Sequence, residues 1–181
     1  MSFPSLSLPK HLAADDFELF KLPRRFVIDA TELTARWKQL QQLAHPDRFA
    51  DQSSQTQRTA TQWSVRINEA YQRLKNPIAR GAYLCELAGH PVNAEANTQM
   101  SPEFLMHQLQ WRECLEEAVD VKAIEALRSE MNALYEAELK ACENAIDQTQ
   151  DIEVAVQSVR KLLFMQRFEI DMDRRIEQLE E

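Results

Sequence analysis

The sequence predicts an all-α protein: a helical hairpin with flanking short helices, followed by an antiparallel three-helix bundle. Three observations predict it. Only two glycines occur in 181 residues, against roughly a dozen from average usage, while Ala, Leu, Glu and Gln are abundant, which favours helices over hairpins and phosphate-cradling loops. Apolar residues recur at three- and four-residue spacing over long windows. Asp and Pro stand where those windows begin or end.

At 44% apolar and 28% charged, the chain can build a core. No apolar run approaches the ~20 residues of a membrane span. The start, MSFPSLSLPKHLAADDFELF, lacks a signal peptide's basic and apolar regions and a transit peptide's Arg-rich pattern, so the expected location is the cytosol. Cys85, Cys114 and Cys142 form no C-x-x-C pair. They suggest neither a disulfide framework nor a zinc site, and are expected to be reduced, mostly buried thiols.

The net charge of −8 hides a division. Residues 1–90 carry 12 Lys and Arg against 9 Asp and Glu, a balance of +3, and residues 91–181 carry 9 against 20, a balance of −11. A strongly acidic half would repel a phosphate backbone, so the basic half points to an acidic protein partner rather than to nucleic acid. The charge division coincides with GHPVNAEANTQMSP, from Gly89 to Pro102, which has two prolines, a glycine and no helical period. The expected organisation is an N-terminal extension (1–14), a first domain (15–88), a linker (89–102) and a second domain (103–181).

In the first domain, Asp15 or Asp16 caps a short helix carrying Phe17, Leu19 and Phe20, which Pro23 ends. A second helix starts after Asp29 and runs to about Ala44. Leu33, Trp37, Leu40 and Ala44 share one face of it, and Arg36 and Lys38 are expected on the other. A third spans about Thr56 to Leu74, with Ala60, Trp63, Ile67, Ala70, Tyr71 and Leu74 as its stripe. A fourth begins at Pro77, a residue tolerated in a first turn, and carries Tyr83, Leu84 and Leu87. Helices two and three are joined by HPDRFADQSS, which makes an antiparallel hairpin. Pro46 has no N–H to continue the ladder, and its ring drives His45 out of the α region. The second helix stops there, and His45 and Asp47 stand outside the hairpin tip.

His45-Pro46-Asp47 between two long helices, then Arg48-Phe49, then INEAYQRLKNPIARGAYL from Ile67 to Leu84, resembles the J-domain of DnaJ-type co-chaperones. The matching pattern is Ile-x-x-Ala-Tyr-x-x-Leu, then Pro, Arg and Tyr. That resemblance implies a four-helix unit that docks on a DnaK-type ATP-dependent chaperone and stimulates its ATPase. His45, Pro46 and Asp47 would serve stimulation, and Arg36, Lys38 and Arg48 would form a basic surface meeting an acidic one. Many J-domains have Tyr before the tripeptide, where this chain has Ala44.

An enzyme is not expected. Side chains two apart around a proline are poorly placed to act as a His–Asp dyad, and the sequence offers no nucleophile motif, oxyanion device or metal ligand set.

The second domain reads as helices over about Pro102–Ala118, Val121–Asp147 and Ile152–Leu179, with breaks short enough to force antiparallel neighbours. Core candidates are Ile124, Leu127, Met131, Leu134 and Ile146 on the middle helix, and Ile152, Val156, Val159, Leu163 and Ile170 on the last. On the first of the three, Phe104, Trp111, Leu115 and Ala118 fall within about 60° and suffice as a core stripe. Leu105, Met106 and Leu109 lie on another side, which continues as Gln110, Glu113 and Glu117. Phe164 of the last helix stands about 110° from that helix's expected core stripe. This Leu/Met patch with a carboxylate border either packs within the molecule or binds another protein.

The strings FLMHQLQWRE and VRKLLF, following a J-domain, resemble the HscB family, the J-type co-chaperones of iron–sulfur cluster biogenesis. The likeness extends from about Asp15 to the C-terminus. It implies two protein partners, the DnaK-type ATPase HscA and the cluster scaffold IscU, and no cofactor, nucleic acid or membrane. Leu105, Met106, Leu109, Gln110, Glu113, Glu117 and Phe164 match the family's scaffold-binding positions, Gln110 standing where an acidic residue is expected. The first 14 residues lack the cysteines of the eukaryotic metal module, which suggests the bacterial form. The alternative is a general J-type co-chaperone for other clients, but the Gly/Phe-rich linker and zinc-binding repeats of such proteins are missing. Sustained heptads, the mark of a purely structural coiled coil, are not evident either.

Overall fold

Aspartates start the first two helices. In the computed structural model, which describes residues 14–49, 51–92 and 100–180, the Asp15 side chain accepts from the Glu18 N–H at the head of α1 (Asp16–Phe20). Asp29 accepts from Thr31 and Glu32 at the head of α2 (Ala30–Ala44). Ser53 caps α3 (Ser54–Lys75), and Asn76 accepts from the first amides of α4 (Pro77–Leu87). Each cap satisfies amides that a helix leaves unpaired at its start. Ser101 and Asp120 do the same for α5 (Pro102–Glu117) and α6 (Val121–Asn144), and α7 (Ile152–Glu180) completes the order. Among the described residues all regular structure is helical, and no helix is long and apolar enough to cross a membrane. The expected extension (1–13 of it) and the middle of the expected linker, 93–99, lie outside the described residues. The chain divides into two compact units, residues 1–80 and 81–181, so the division falls inside α4. The sequence-based bounds assign all of that helix to the first domain.

In the first unit, α1 packs on α2 and α3, and α2 pairs with α3. Phe17, Leu19, Phe20, Leu33, Leu40, Ile67, Ala70 and Leu74 form the centre, all at most 2% exposed. Trp37 stacks on Tyr71 at 4.8 Å and donates its indole N–H to Asn68, tying α2 to α3. Beneath this apolar layer lies Asp16, fully buried, with Arg66 at 2.5 Å and Arg73 at 2.9 Å. Burying a carboxylate is tolerable only with such partners.

Arg36 departs from expectation. It is buried, 7% exposed, and therefore does not stand on an exposed basic face. Its guanidinium donates to the carbonyls of Phe20 and Lys21 and pairs with Glu32. The cause is the end of α1, where Lys21 adopts the left-handed region (φ 52°) and a Schellman-type pair of bonds, Leu22 to Phe17 and Lys21 to Glu18, closes the helix. The remaining carbonyls need donors, and Arg36 supplies them. Arg80 acts similarly, donating to the carbonyls of Phe26 and Leu74.

In the second unit the pairing of residues gives the helix directions. Arg128 of α6 meets Glu169 and Asp173 of α7, and Lys161 meets Glu138, so numbers rise on one helix as they fall on the other and the pair is antiparallel. Arg175 of α7 donates to Ala118 O at the end of α5. The core includes Phe104, Trp111, Ile124, Leu127, Met131, Ala155, Val159, Leu162, Met165, Phe168 and Met172. The α7 stripe is therefore rotated from the expected one: Val156 and Val159 are buried, Leu163 is half-buried, and Ile170 is 51% exposed. Ala155, Met165, Phe168 and Met172 join Val156, Val159 and Leu162 in the seam. Leu134 and Ile146 are half-buried as well, the latter in a π-helical turn, Ala145–Thr149, that ends α6.

Gly89 has φ +85° and closes α4 by a Schellman motif, with His90 N–H on Cys85 O and Gly89 N–H on Glu86 O. A side chain there would be strained. Cys85 and Cys142 are buried, whereas Cys114 is exposed. Burial pushes the Cys85 thiol up to about 11, against smaller opposing effects from a backbone hydrogen bond and Arg160.

The buried carboxylate and the buried thiols can both be tested. Asp16→Ala leaves Arg66 and Arg73 without their shared anion and should cost about 3–5 kcal/mol, measured as a fall in the urea midpoint of the full chain. At pH 8 the Cys85 thiol is protonated, since its value lies well above that pH. An aromatic disulfide reagent should titrate one thiol quickly, that of Cys114, and the other two only on unfolding.

Candidate functional site

The end of α2 presents the first candidate surface. His45 leaves the helix with extended geometry (φ −62°, ψ 125°), and Pro46–Phe49 turn once as a 3-10 helix, where the sequence suggests an irregular loop. Arg48 N–H bonds to His45 O, and its guanidinium donates to Gln42 O at 3.0 Å, satisfying a carbonyl that the proline leaves open. His45 and Asp47 have side chains 56% and 88% exposed.

The two side chains lie near one another, His45 Nδ1 being 3.5 Å from Asp47 Oδ2, without a hydrogen bond between them. The Asp47 N–H points at the same nitrogen, at 3.3 Å. With Nδ1 accepting, a neutral His45 carries its proton on Nε2. The turn thus presents an imidazole N–H and a carboxylate together, on a backbone that is already shaped. Lys38 is exposed one turn before Gln42, and Arg48 is exposed. Arg36 does not join them, being committed to the end of α1.

The second candidate surface is one face of α5. Phe104, Trp111 and Leu115 are buried. Phe104 meets Phe164 edge-on at 5.7 Å and Trp111 at 6.1 Å, while Trp111 stacks on Phe164 and Phe168. With that face occupied, the residues about half a turn round must point outward. Leu105, Met106 and Leu109 are 39%, 57% and 51% exposed, and Gln110, Glu113 and Glu117 are exposed beside them. The six span about 140° of the helix. Glu113 and Glu117 make no ion pair among the described residues. Phe164 is half-buried, since it belongs to the aromatic cluster as well as to the edge of this face.

The structure brings together everything in the second set and separates Arg36 from the first. It also adds Arg112, whose guanidinium lies over the Phe164 ring at 5.9 Å. Its spacing from Leu109, three residues along one helix, could have drawn attention to it. Among the described residues no group of three His, Cys, Asp or Glu is arranged to hold a metal ion.

Known proteins share this architecture. A family model described as the HSCB C-terminal oligomerisation domain matches residues 100–173. The co-chaperone protein HscB homolog of Bordetella avium is 44% identical over 158 residues, which cover 86% of this chain and 94% of that protein. The homolog of Cupriavidus taiwanensis is 40% identical over 174 residues, 95% of this chain and 99% of that one. The crystal structure of human co-chaperone protein HscB has a TM-score of 0.86 at 28% identity, covering 92% of this chain and 83% of the human one. The chaperone HscB of Vibrio cholerae gives 0.83 at 35%, covering 91% and 99%. Likeness at this level runs through both units, and with its J-domain and three-helix bundle the chain belongs to the HscB family of co-chaperones.

Proposed function

We propose that this co-chaperone is a two-sided adaptor of iron–sulfur protein maturation in the cytoplasm. The J-domain, within residues 15–88, engages the DnaK-type chaperone HscA through His45, Pro46 and Asp47, with Lys38 and Arg48 meeting an acidic surface, and stimulates ATP hydrolysis. Arg36 supports that surface from inside by holding the end of α1. The bundle, within residues 103–181, holds the scaffold IscU on Leu105, Met106, Leu109, Gln110, Glu113 and Glu117, with Phe164 beneath.

The observation that carries this reading is the exposed Leu105–Met106–Leu109 patch beside unpaired Glu113 and Glu117. A contiguous apolar patch rimmed by charge marks a protein-binding surface. Desolvation of Leu and Met supplies affinity, and the carboxylates supply orientation and exclude acidic partners. Covalent linkage of two binding surfaces makes the second encounter intramolecular, at an effective concentration on the order of millimolar. The chain's own chemistry is then binding and charge placement, while bond cleavage belongs to the chaperone.

Two substitutions separate the surfaces. Asp47→Asn keeps the shape of the tip but removes its charge. HscA stimulation should fall by at least about tenfold, a loss of ~1.4 kcal/mol or more, with scaffold affinity unchanged by calorimetry; loss of both would mean that the two surfaces are not separable. Leu105→Ala with Met106→Ala should weaken scaffold binding by about 2–4 kcal/mol in the manner of hot spots. Helicity should be retained, because neither side chain is in the core. Unchanged affinity would remove α5 from the site.

A further inference from the structure

Beside the α5 face lies a cavity of about 180 Å³, whose walls include Met100, Arg112, Arg160, Phe164, Arg167 and Asp171. Arg160, Phe164, Arg167 and Asp171 stand at i, i+4, i+7 and i+11, one stripe of α7. Arg112 reaches over from α5 onto the Phe164 ring. Three arginines and one aspartate therefore line the same cavity, and Asp171 already lies 3.6 Å from Arg174.

Arg160 is the decisive member. It is only 7% exposed, yet its Nε has no hydrogen-bond partner, and none of the three arginines is paired with a carboxylate among the described residues. Its neighbour Cys85 offers no compensating charge, because burial keeps that thiol protonated at neutral pH. A guanidinium cannot shed its proton to escape burial, so an unpaired one is costly to keep. Elsewhere the fold answers its buried charges: Asp16 is held between two arginines, and Glu138 has Lys161 at 2.6 Å. The missing counter-ion at Arg160 is an exception that a ligand would resolve.

We infer that this cavity is a carboxylate-binding subsite, which takes an Asp or Glu side chain of the client held on α5. The inference rests on the proposed client reading. A cavity of this size admits one carboxylate and its methylenes and is too small for a folded element. The guanidiniums offer paired N–H donors that match a carboxylate's two oxygens, and the Phe164 ring gives the methylenes an apolar wall. Arg112 is three residues from Leu109, so a chain covering the apolar patch passes the cavity mouth. The site then combines a basic socket with the acidic border of Glu113 and Glu117. A client must carry both signs of charge in the matching order, which a uniformly acidic or uniformly basic surface cannot satisfy.

The test is calorimetric titration of the full-length protein with IscU at about 50 mM and about 500 mM salt, since an ion pair at the cavity mouth is partly screened. The double variant Arg112→Gln, Arg167→Gln should bind about tenfold more weakly at low salt, with the gap narrowing at high salt. The Leu105→Ala, Met106→Ala variant should lose affinity at both. Arg160→Met should weaken binding while leaving the free protein's melting temperature unchanged or raised, because an unpaired buried charge has been replaced by an apolar chain of similar length. If the arginine variants bind as the native protein does while the Leu105, Met106 variant stays weakened, the subsite is overturned and the client face stands. If Arg160→Met lowers the melting temperature and leaves binding intact, Arg160 is a packing residue and the subsite is likewise overturned. Failure of the native protein to bind IscU would overturn the client reading, and the subsite with it.

Discussion

Everything at the α5 surface depends on the aromatic contact of Phe104 and Trp111 with Phe164 and Phe168. Aromatic side chains bury large areas and prefer defined ring geometries, so this cluster sets the rotation of α5 about its own axis. Once Phe104, Trp111 and Leu115 face inward, Leu105, Met106 and Leu109 stand exposed, and Glu113 and Glu117 come one and two turns after Leu109 on the same side. A half-turn of the helix, about 180°, would exchange the two faces, at the cost of exposing a tryptophan and a phenylalanine. The exposed patch is thus held outward by a core rather than tolerated by a loose one. Phe164 belongs to both, which makes it the point where bundle stability and surface chemistry meet.

The J-domain obeys a different constraint. Its interior contains charges, and each is answered: Asp16 by Arg66 and Arg73, Arg36 by the carbonyls at the end of α1, Arg80 by the carbonyls of Phe26 and Leu74. Several of the basic residues counted in the first half of the chain therefore act internally. The charge available near the hairpin tip comes from Lys38 and Arg48, and Arg48 doubles as a cap on the last turn of α2. Pro46 ends that helix, the 3-10 turn fixes the path of the chain through Asp47 and Arg48, and the His45 side chain meets Asp47 through the turn's own backbone amide.

Helix existence, order and starting points are legible in the sequence because caps and apolar period are local. Asp29 and Pro77 mark beginnings irrespective of what packs nearby, and Pro46 marks an end. The separation of a second face of α5 from its core stripe is legible too, but whether that face packs within the molecule or points outward is decided only by what the other helices cover. The misplacements share a cause of another kind. Arg36 reads as surface charge until the left-handed turn at Lys21 brings carbonyls to it from another helix. Ile170 reads as core because branched residues dominate such stripes, yet Ala155, Met165, Phe168 and Met172 fill the seam and leave it outside. The arginine-lined cavity needs two helices in contact before its three members are neighbours, although Arg160, Phe164, Arg167 and Asp171 already share a stripe.

The measurement that most directly tests the adaptor is the steady-state ATPase rate of HscA with this protein and IscU, added singly and together. A single chain that presents a stimulating tip on one unit and a client on the other should give a joint rate well above the sum of the separate effects. Stimulation by this protein alone, indifferent to IscU over its whole concentration range, would contradict the two-sided mechanism and leave only a J-domain at work.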